Sequence, residues 1–275
     1  MAMNPRLLVP RASYDPRRID GLEGWWDAAD ASTLTLDSGR VATLADKSGN
    51  ERHAVNSTSG STQPDYVIAG QNGRNTVRFA SASSQFLEAG EVGDWNFLHD
   101  GTKSFLFTVA KYFDSANPNA IGPFATTGGG GSTQIGFGYW YDDRASVSRN
   151  NALSVSINSG VSGTNVVGVS TNDKITPNAY VLLEILVDAG NVTADARLQV
   201  RVNGGAPFGG NTSTVAPSTS NSSYPLAFGR LQAAAPAFYF TGDLCEVIAY
   251  SQHPTTAFQL ATRQYLAKKW GVTLA

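Results

Sequence analysis

Apolar and polar residues alternate with a period of two along most of this chain, the spacing that turns one face of a β-strand inward and the other outward. The clearest run is residues 103–113, with Phe105, Phe107, Val109 and Lys111 on one face and Leu106, Thr108 and Ala110 on the other. It predicts a central strand buried on both sides. Residues 238–250 predict a second: Leu244, Glu246, Ile248 and Tyr250 share one face, and Asp243, Cys245, Val247 and Ala249 the other. Shorter segments of the same kind lie at 22–27, 41–44, 53–55, 63–67, 74–79, 86–87, 134–141, 153–157, 166–169, 180–188, 197–202 and 226–230. Turn residues stand between them, among them Asp46-Lys-Ser-Gly-Asn50 and Asn203-Gly-Gly205. Residues 205–225 are too rich in Gly, Ser, Thr, Asn and Pro for a strand and predict a long loop.

Only near the C-terminus does the period change. Thr256-x-x-Gln259 reads as a capping box, and Phe258, Ala261, Tyr265, Leu266 and Trp270 then mark the inner side of a helix that Gly271 ends. Many short strands and one closing helix predict an all-β jelly-roll sandwich over residues 19–275, with a C-terminal capping helix.

Composition sharpens this in a few places. With 275 residues, 41% of them hydrophobic, the chain can fill one large sandwich core, and 28 glycines with only 15% charged residues suit strands joined by tight turns. A net charge of −2 argues against nucleic acid as the main partner. The single cysteine, Cys245, excludes an internal disulfide and reads as a small buried hydrophobe. The first nine residues lack the apolar run of a signal peptide, and no stretch approaches the ~20 apolar residues of a membrane-spanning helix. Residues 1–18 hold three prolines and four arginines, Arg6, Arg11, Arg17 and Arg18, so they predict an extended basic arm. Such an arm is either a free tail or an anchor on a partner subunit, and the expectation adopted is the anchor.

Several motifs carry a resemblance. Leu22-Glu-Gly-Trp-Trp-Asp-Ala-Ala-Asp30, Asp46-Lys-Ser-Gly-Asn50 with His53-Ala54, Gln63-Pro64, and Asn72-Gly-Arg74 with Val77-Arg-Phe79 resemble the N-terminal half of concanavalin A-like, laminin G-like modules. Gly242-Asp-Leu-Cys-Glu-Val-Ile-Ala-Tyr250 and Tyr265-Leu-Ala-Lys-Lys-Trp-Gly271 resemble that family's closing strand and helix. Such modules occur in bacterial surface proteins and phage structural proteins. The resemblance implies the jelly-roll fold and leaves function open among lectins, glycan hydrolases and structural modules.

The chemistry of a hydrolase is hard to find. Glycoside hydrolases of this fold carry paired carboxylates in an arrangement like Glu-x-Asp-x-x-Glu, which is absent. Glu184 and Asp188 share a strand face but stand ~13 Å apart, too far for a retaining pair. His53, His99 and His253 are scattered. Gly128–Gly131 lacks the Lys-Ser/Thr of a phosphate loop. The best glycan-binding candidates are Tyr139, Trp140, Tyr141, Asp142, Asp143 and Arg144. Aromatic faces stack on sugar rings, and planar polar groups bond their hydroxyls. Alternation puts Tyr139 and Tyr141 on one face and Trp140 on the other; the plainer reading makes the aromatics core and the acids a solvated turn. Asp142 and Asp143 are also the candidate Ca²⁺ ligands, the one metal or cofactor expectation. Trp25, Trp26 and Asp27 read as core packing plus a turn hydrogen bond.

The sequence thus leads to a non-catalytic phage virion protein: a capsid decoration, head fibre or tail appendage at the virion surface. It would be oligomeric, bound to other virion proteins through the arm, with a cell-surface glycan as further partner and neither nucleic acid nor membrane. The alternative is a glycan-binding lectin module of a bacterial surface protein; a glycan-cleaving enzyme is the third reading.

Overall fold

A computed structural model describes residues 14–58, 60–113, 121–128, 133–161, 165–209, 214–232 and 238–275. Its first half contains strands β1 (Leu22–Asp27), β2 (Leu34–Asp37), β3 (Arg40–Leu44), β4 (Ala54–Val55), β5 (Asp65–Gln71), β6 (Arg74–Phe79), β7 (Leu87–Ala89), β8 (Lys103–Tyr112) and β9 (Ile121–Thr126). Then come β10 (Ile135–Asp142), β11 (Ala152–Ser159), β12 (Asn165–Thr171), β13 (Tyr180–Asp188), β14 (Leu198–Val202), β15 (Phe208–Gly209), β16 (Leu226–Phe228), β17 (Gly242–Tyr250) and helix α1 (Thr256–Trp270).

The strands pair antiparallel in two layers. The order β1–β17–β8–β13–β14–β15 makes the first. The order β12–β11–β10–β9–β16–β7–β4–β3–β2 makes the second. The β5–β6 hairpin links the layers, β6 pairing with β17 and β5 with β3. The result is the all-β sandwich with a closing helix that the strand pattern led us to expect.

Two cores follow from the alternation. Between the layers, Leu106, Ala110, Leu183, Ile185, Val247 and Ala249 meet Phe124, Phe137, Tyr139, Tyr141, Leu153, Val155 and Ile157. Tyr112 stacks on Tyr141 at 3.7 Å, and the hydroxyls of Thr108 and Tyr139 hydrogen-bond across the gap. On the far side of the first layer, Phe105, Phe107, Val109, Leu182, Ile248 and Tyr250 pack against Leu266, Ala267 and Trp270 of α1. β8 and β17 are therefore covered on both faces, which is why they carry large apolar residues at nearly every position.

Three expectations need correction. In β17 the register against β8 shifts between Leu244 and Glu246, so Leu244 joins Val247 and Ala249 between the layers while Cys245 turns to the helix side. One extra residue in a bulge is enough to invert a face assignment. In α1 the N-cap is Thr255, whose Oγ1 accepts from Phe258 N at 3.4 Å, one residue before the expected box, and Phe258 is 43% exposed rather than inward. Strand β9 was not expected, because Ile121-Gly-Pro-Phe-Ala-Thr126 is buried throughout and contains a proline and a glycine.

Other motifs act locally, as expected. Asp46 accepts from Trp25 N, from Ser48 N and Oγ, and from Arg52 N, so the Asp46–Asn50 turn brackets the end of β1. Trp26 lies over Gly24, where a Cβ would stand 2.2 Å from the indole. Gly271 ends α1 with φ 66°.

The helix is fastened by charge. Lys269 Nζ lies 2.6 Å from Asp27 Oδ1 and 2.7 Å from Glu246 Oε2, and Asp27 Oδ2 also holds Lys47 at 2.9 Å. Glu246 receives further bonds from the Trp25 and Trp270 indoles, both at 2.8 Å, and from the Tyr265 hydroxyl at 3.0 Å. Burial, with the Asp27 charge beside it, pushes the Glu246 carboxyl up, and Lys269 and Trp270 oppose that rise. One turn earlier, Arg263 grips the fully buried Glu184 with two bonds of 2.6 and 2.7 Å. Cys245 is buried, and burial pushes its thiol up, as suits an inert apolar side chain.

The folded body starts earlier than Ile19. Tyr14 stacks on Tyr265 at 4.7 Å and shares a 2.5 Å hydrogen bond with Thr262, and Pro16 is buried. Of the expected arm, Arg6 and Arg11 lie outside the described residues; Arg17 pairs with Asp15 at 2.8 Å, and Arg18 is exposed.

Lys269→Met leaves the buried Glu246 carboxylate without its ion-pair partner and Asp27 with Lys47 alone, a loss of about 3–5 kcal/mol. Thermal unfolding should show a midpoint roughly 10 °C lower, and an unchanged midpoint would remove the ion pair from this account. His99 gives a pH dependence. It is buried, its Nε2–H donates to Ser220 O at 2.9 Å, and burial holds its pKa below the ordinary value of 6.5. The folded state therefore favours neutral His99. Stability is full above the unfolded value and falls as pH drops from about 6.5 toward the folded one. Denaturant titrations from pH 7.5 to 5 should show that slope, reduced in His99→Gln.

Candidate functional site

Helix α1 closes the outer face of the first layer, and the outer face of the second carries Trp140 and Asp142. Its residues are set by alternation. On β10, Phe137, Tyr139 and Tyr141 point into the core, which turns Gly138, Trp140 and Asp142 outward. On β11, Leu153, Val155 and Ile157 point inward and Ser154, Ser156 and Asn158 outward. Ser170 of β12 stands opposite Ser154, with the two hydroxyls 2.5 Å apart.

Trp140 leans along its own strand. A Cβ on Gly138 would stand 3.3 Å from Trp140 Cζ3 and 3.0 Å from Thr126 Cγ2, so the missing side chain gives the indole its seat. Trp140 is partly exposed, whereas the other four tryptophans are 6% exposed or less.

At the end of β10, Asp142 is buried and bound by Arg144 through Nε and Nη2, both at 2.8 Å, with Ser154 Oγ at 3.4 Å. Arg149 Nε lies 3.9 Å from the same carboxylate, beyond hydrogen-bond distance. Its loop is pinned on both flanks: Asn150 Nδ2 donates to Asp173 Oδ1 at 2.7 Å, and Asn172 Nδ2 donates to Ser148 O at 3.1 Å.

The polar groups here are short of partners. Trp140 Nε1, Ser156 Oγ, Asn158 Oδ1 and Arg149 Nε are each buried without a hydrogen bond, four of the ten such side-chain atoms among the described residues. Leaving one buried polar atom unsatisfied costs about 1–3 kcal/mol, so the four together cost the fold stability at this part of the sheet.

Across the sheet toward β7 the face changes. Gln232 N donates to Thr126 Oγ1 at 2.8 Å, and Gln232 Nε2 donates to Glu88 Oε1 at 2.7 Å and to Pro225 O at 3.0 Å. The segment after β16 thus folds back over its own strand and buries Ala227. Beyond it lies a separate cleft of about 240 Å³, lined by Val55, Asn56, Ser57, Thr58, Phe86 and Glu88.

The structure divides the residues expected to bind a glycan. Trp140, Asp142 and Arg144 share the polar face. Tyr139 and Tyr141 are core residues, 0% and 1% exposed, and face away from it. Asp143 Oδ1 accepts from Asn151 N at 3.1 Å and fixes the turn. As a Ca²⁺ site, Asp142 already has both oxygens on Arg144, and among the described residues no three His, Cys, Asp or Glu side chains converge as a metal cage. Sequence reasoning missed Ser154, Ser156, Asn158, Ser170 and Arg149. The serines and Asn158 were readable as the outward partners of Leu153, Val155 and Ile157; Arg149 had no such signal. Glu184 and Asp188 are remote from this face: Glu184 lies beneath α1, and Asp188 accepts from Asn191 Nδ2 at 2.9 Å.

No protein-family model matches the chain, and no curated protein matches its sequence. Among solved structures, the Ruminococcus gnavus IT-sialidase CBM40 bound to α2,3-sialyllactose is similar at a TM-score of 0.45 and 11% identity, over 59% of this chain and 82% of that one. The Trypanosoma rangeli sialidase in complex with sialic acid gives a TM-score of 0.47 and 12% identity, over 90% of this chain and 33% of that one. The K499G mutant of the Streptococcus pneumoniae NanB sialidase gives 0.48 and 12%, over 68% and 27%. This chain therefore spans about a third or less of either sialidase chain.

The exposure of Trp140 can be checked directly. Acrylamide quenching of tryptophan emission should reach one residue in the folded protein, and Trp140→Phe should abolish the quenchable fraction. Quenching that persists in that variant would contradict the placement.

Proposed function

We propose that the protein is a non-catalytic carbohydrate-binding module of the concanavalin A-like kind, taking a saccharide on the outer face of β10–β12. The observation that carries this is the partly exposed indole of Trp140 on a sheet face whose edge presents the half-buried polar groups of Ser170, Arg144 and Arg149. A sugar offers an apolar C–H face for the indole, and hydroxyls for the polar groups around it.

The absence of a role in catalysis is part of the same proposal. Of the acids on this face, Asp142 is bound to Arg144, and Glu88 to Arg230 at 2.5 Å and to Gln232 at 2.7 Å, across the fold-back from Trp140. Neither is placed beside the other as the flanking pair that glycosidic cleavage requires. The role in virion assembly rests on an arm of which residues 1–13 lie outside the described residues, while Tyr14 and Pro16 pack on the protein's own body. The alternative reading, a lectin-like module, is therefore preferred to the virion component.

A glycan array probed with the full chain should return a defined set of ligands. Trp140→Ala should weaken their binding at least tenfold, while Tyr139→Phe, altered in the core, leaves affinity within about twofold. An array silent to the folded protein, or Trp140→Ala binding as well as the wild type, would overturn the proposal.

A further inference from the structure

The polar face has an imbalance at one end. Among the described residues Asp142 is the only carboxylate paired with Arg144 or Arg149, and Arg144 already occupies it as a bidentate partner. That leaves Arg149. Its side chain is 34% exposed, its Nε is buried without a hydrogen bond, and the 3.9 Å separation from Asp142 is a charge contact only. Arginine carries five N–H donors in a rigid fork that matches a planar or tetrahedral oxyanion.

The other acidic groups near this end are otherwise engaged. Asp143 accepts from Asn151 N, and Asp173, one strand over, accepts from Asn150. Arg149 is held in place by its own backbone, its N donating to Arg144 O at 3.0 Å, within the loop pinned by Asn172 and Asp173. The loop backbone that carries it is thus fixed before any ligand arrives, which lowers the ordering cost of binding.

Resting on the carbohydrate-binding reading above, we infer that the saccharide bears an anionic oxygen group, a carboxylate or a sulfate ester, and that Arg149 receives it. Trp140 and Asp142 alternate outward on one strand, about 7 Å apart by strand rise. One acidic sugar can therefore lie against the indole with its charged substituent at the Asp142–Arg149 end. Ser154 and Ser170 line the space between and offer hydroxyls to it.

The test compares sets of oligosaccharides matched in backbone: neutral, carboxylated and sulfated. The wild type should bind an acidic set at least tenfold more tightly than the neutral one, with the advantage falling as salt is raised. Preference for the carboxylated or for the sulfated set identifies the group. Arg149→Gln should lose about 10- to 100-fold toward the preferred acidic set and leave neutral binding unchanged, with Arg149→Lys intermediate because it keeps the charge without the fork. Equal binding of neutral and acidic sets, with Trp140→Ala still destructive, would overturn this inference and leave the carbohydrate-binding reading standing. Silence toward every set would overturn both.

Discussion

The contact on which most of this architecture depends is Lys269 between Asp27 and Glu246. It ties the last turn of α1 to the adjacent strands β1 and β17, in the middle of a surface that would otherwise be an apolar sheet face open to water. Each of its charges is costly to bury alone. Together, with two indole N–H groups and a tyrosine hydroxyl completing Glu246, they tolerate removal from water and position the helix. The ion pair adds registration more than raw stability, since the apolar packing of Phe105, Phe107 and Trp270 would accept several helix positions but the charges accept one. The consequence is that the first layer is covered on both sides.

How far this could be read from the residues varies with the residue. In β8 and β13, regular alternation gave each side chain its direction. In β17, alternation failed at a single bulged position and misassigned Leu244 and Cys245. β9 gave no signal, because a strand buried on both faces has no polar phase, and its Pro123 speaks against a strand. At the site, the outward direction of Trp140 was legible while its tyrosine neighbours were joined to it wrongly, since adjacency in sequence is opposition in a strand. Nothing in the sequence sets Ser154, Ser156 and Asn158 apart from an ordinary polar strand face, because sequence does not reveal that such atoms are buried. Arg149 depends on a loop whose path is set by Asn150, Asn172 and Asp173, contacts across 22 to 24 positions that no local pattern encodes.

The two halves of the outer face illustrate opposite ways of treating polar groups. Around Glu88, Arg230 and Gln232 the protein satisfies its own donors and acceptors, and the segment after β16 covers the sheet. Around Trp140 it leaves them unmet. The first arrangement contributes to folding; the second costs stability.

The stacking of Tyr14 on Tyr265 has a consequence for how the module is presented. At the other end of the chain, Val272 and Leu274 pack into the same helix-side core, and Ala275 N donates to Asn203 O. Both ends of the described body therefore leave from the back, with a helix and two sheets between them and the polar face. The helix thus gathers both termini of the described body on one side of the sandwich, away from Trp140.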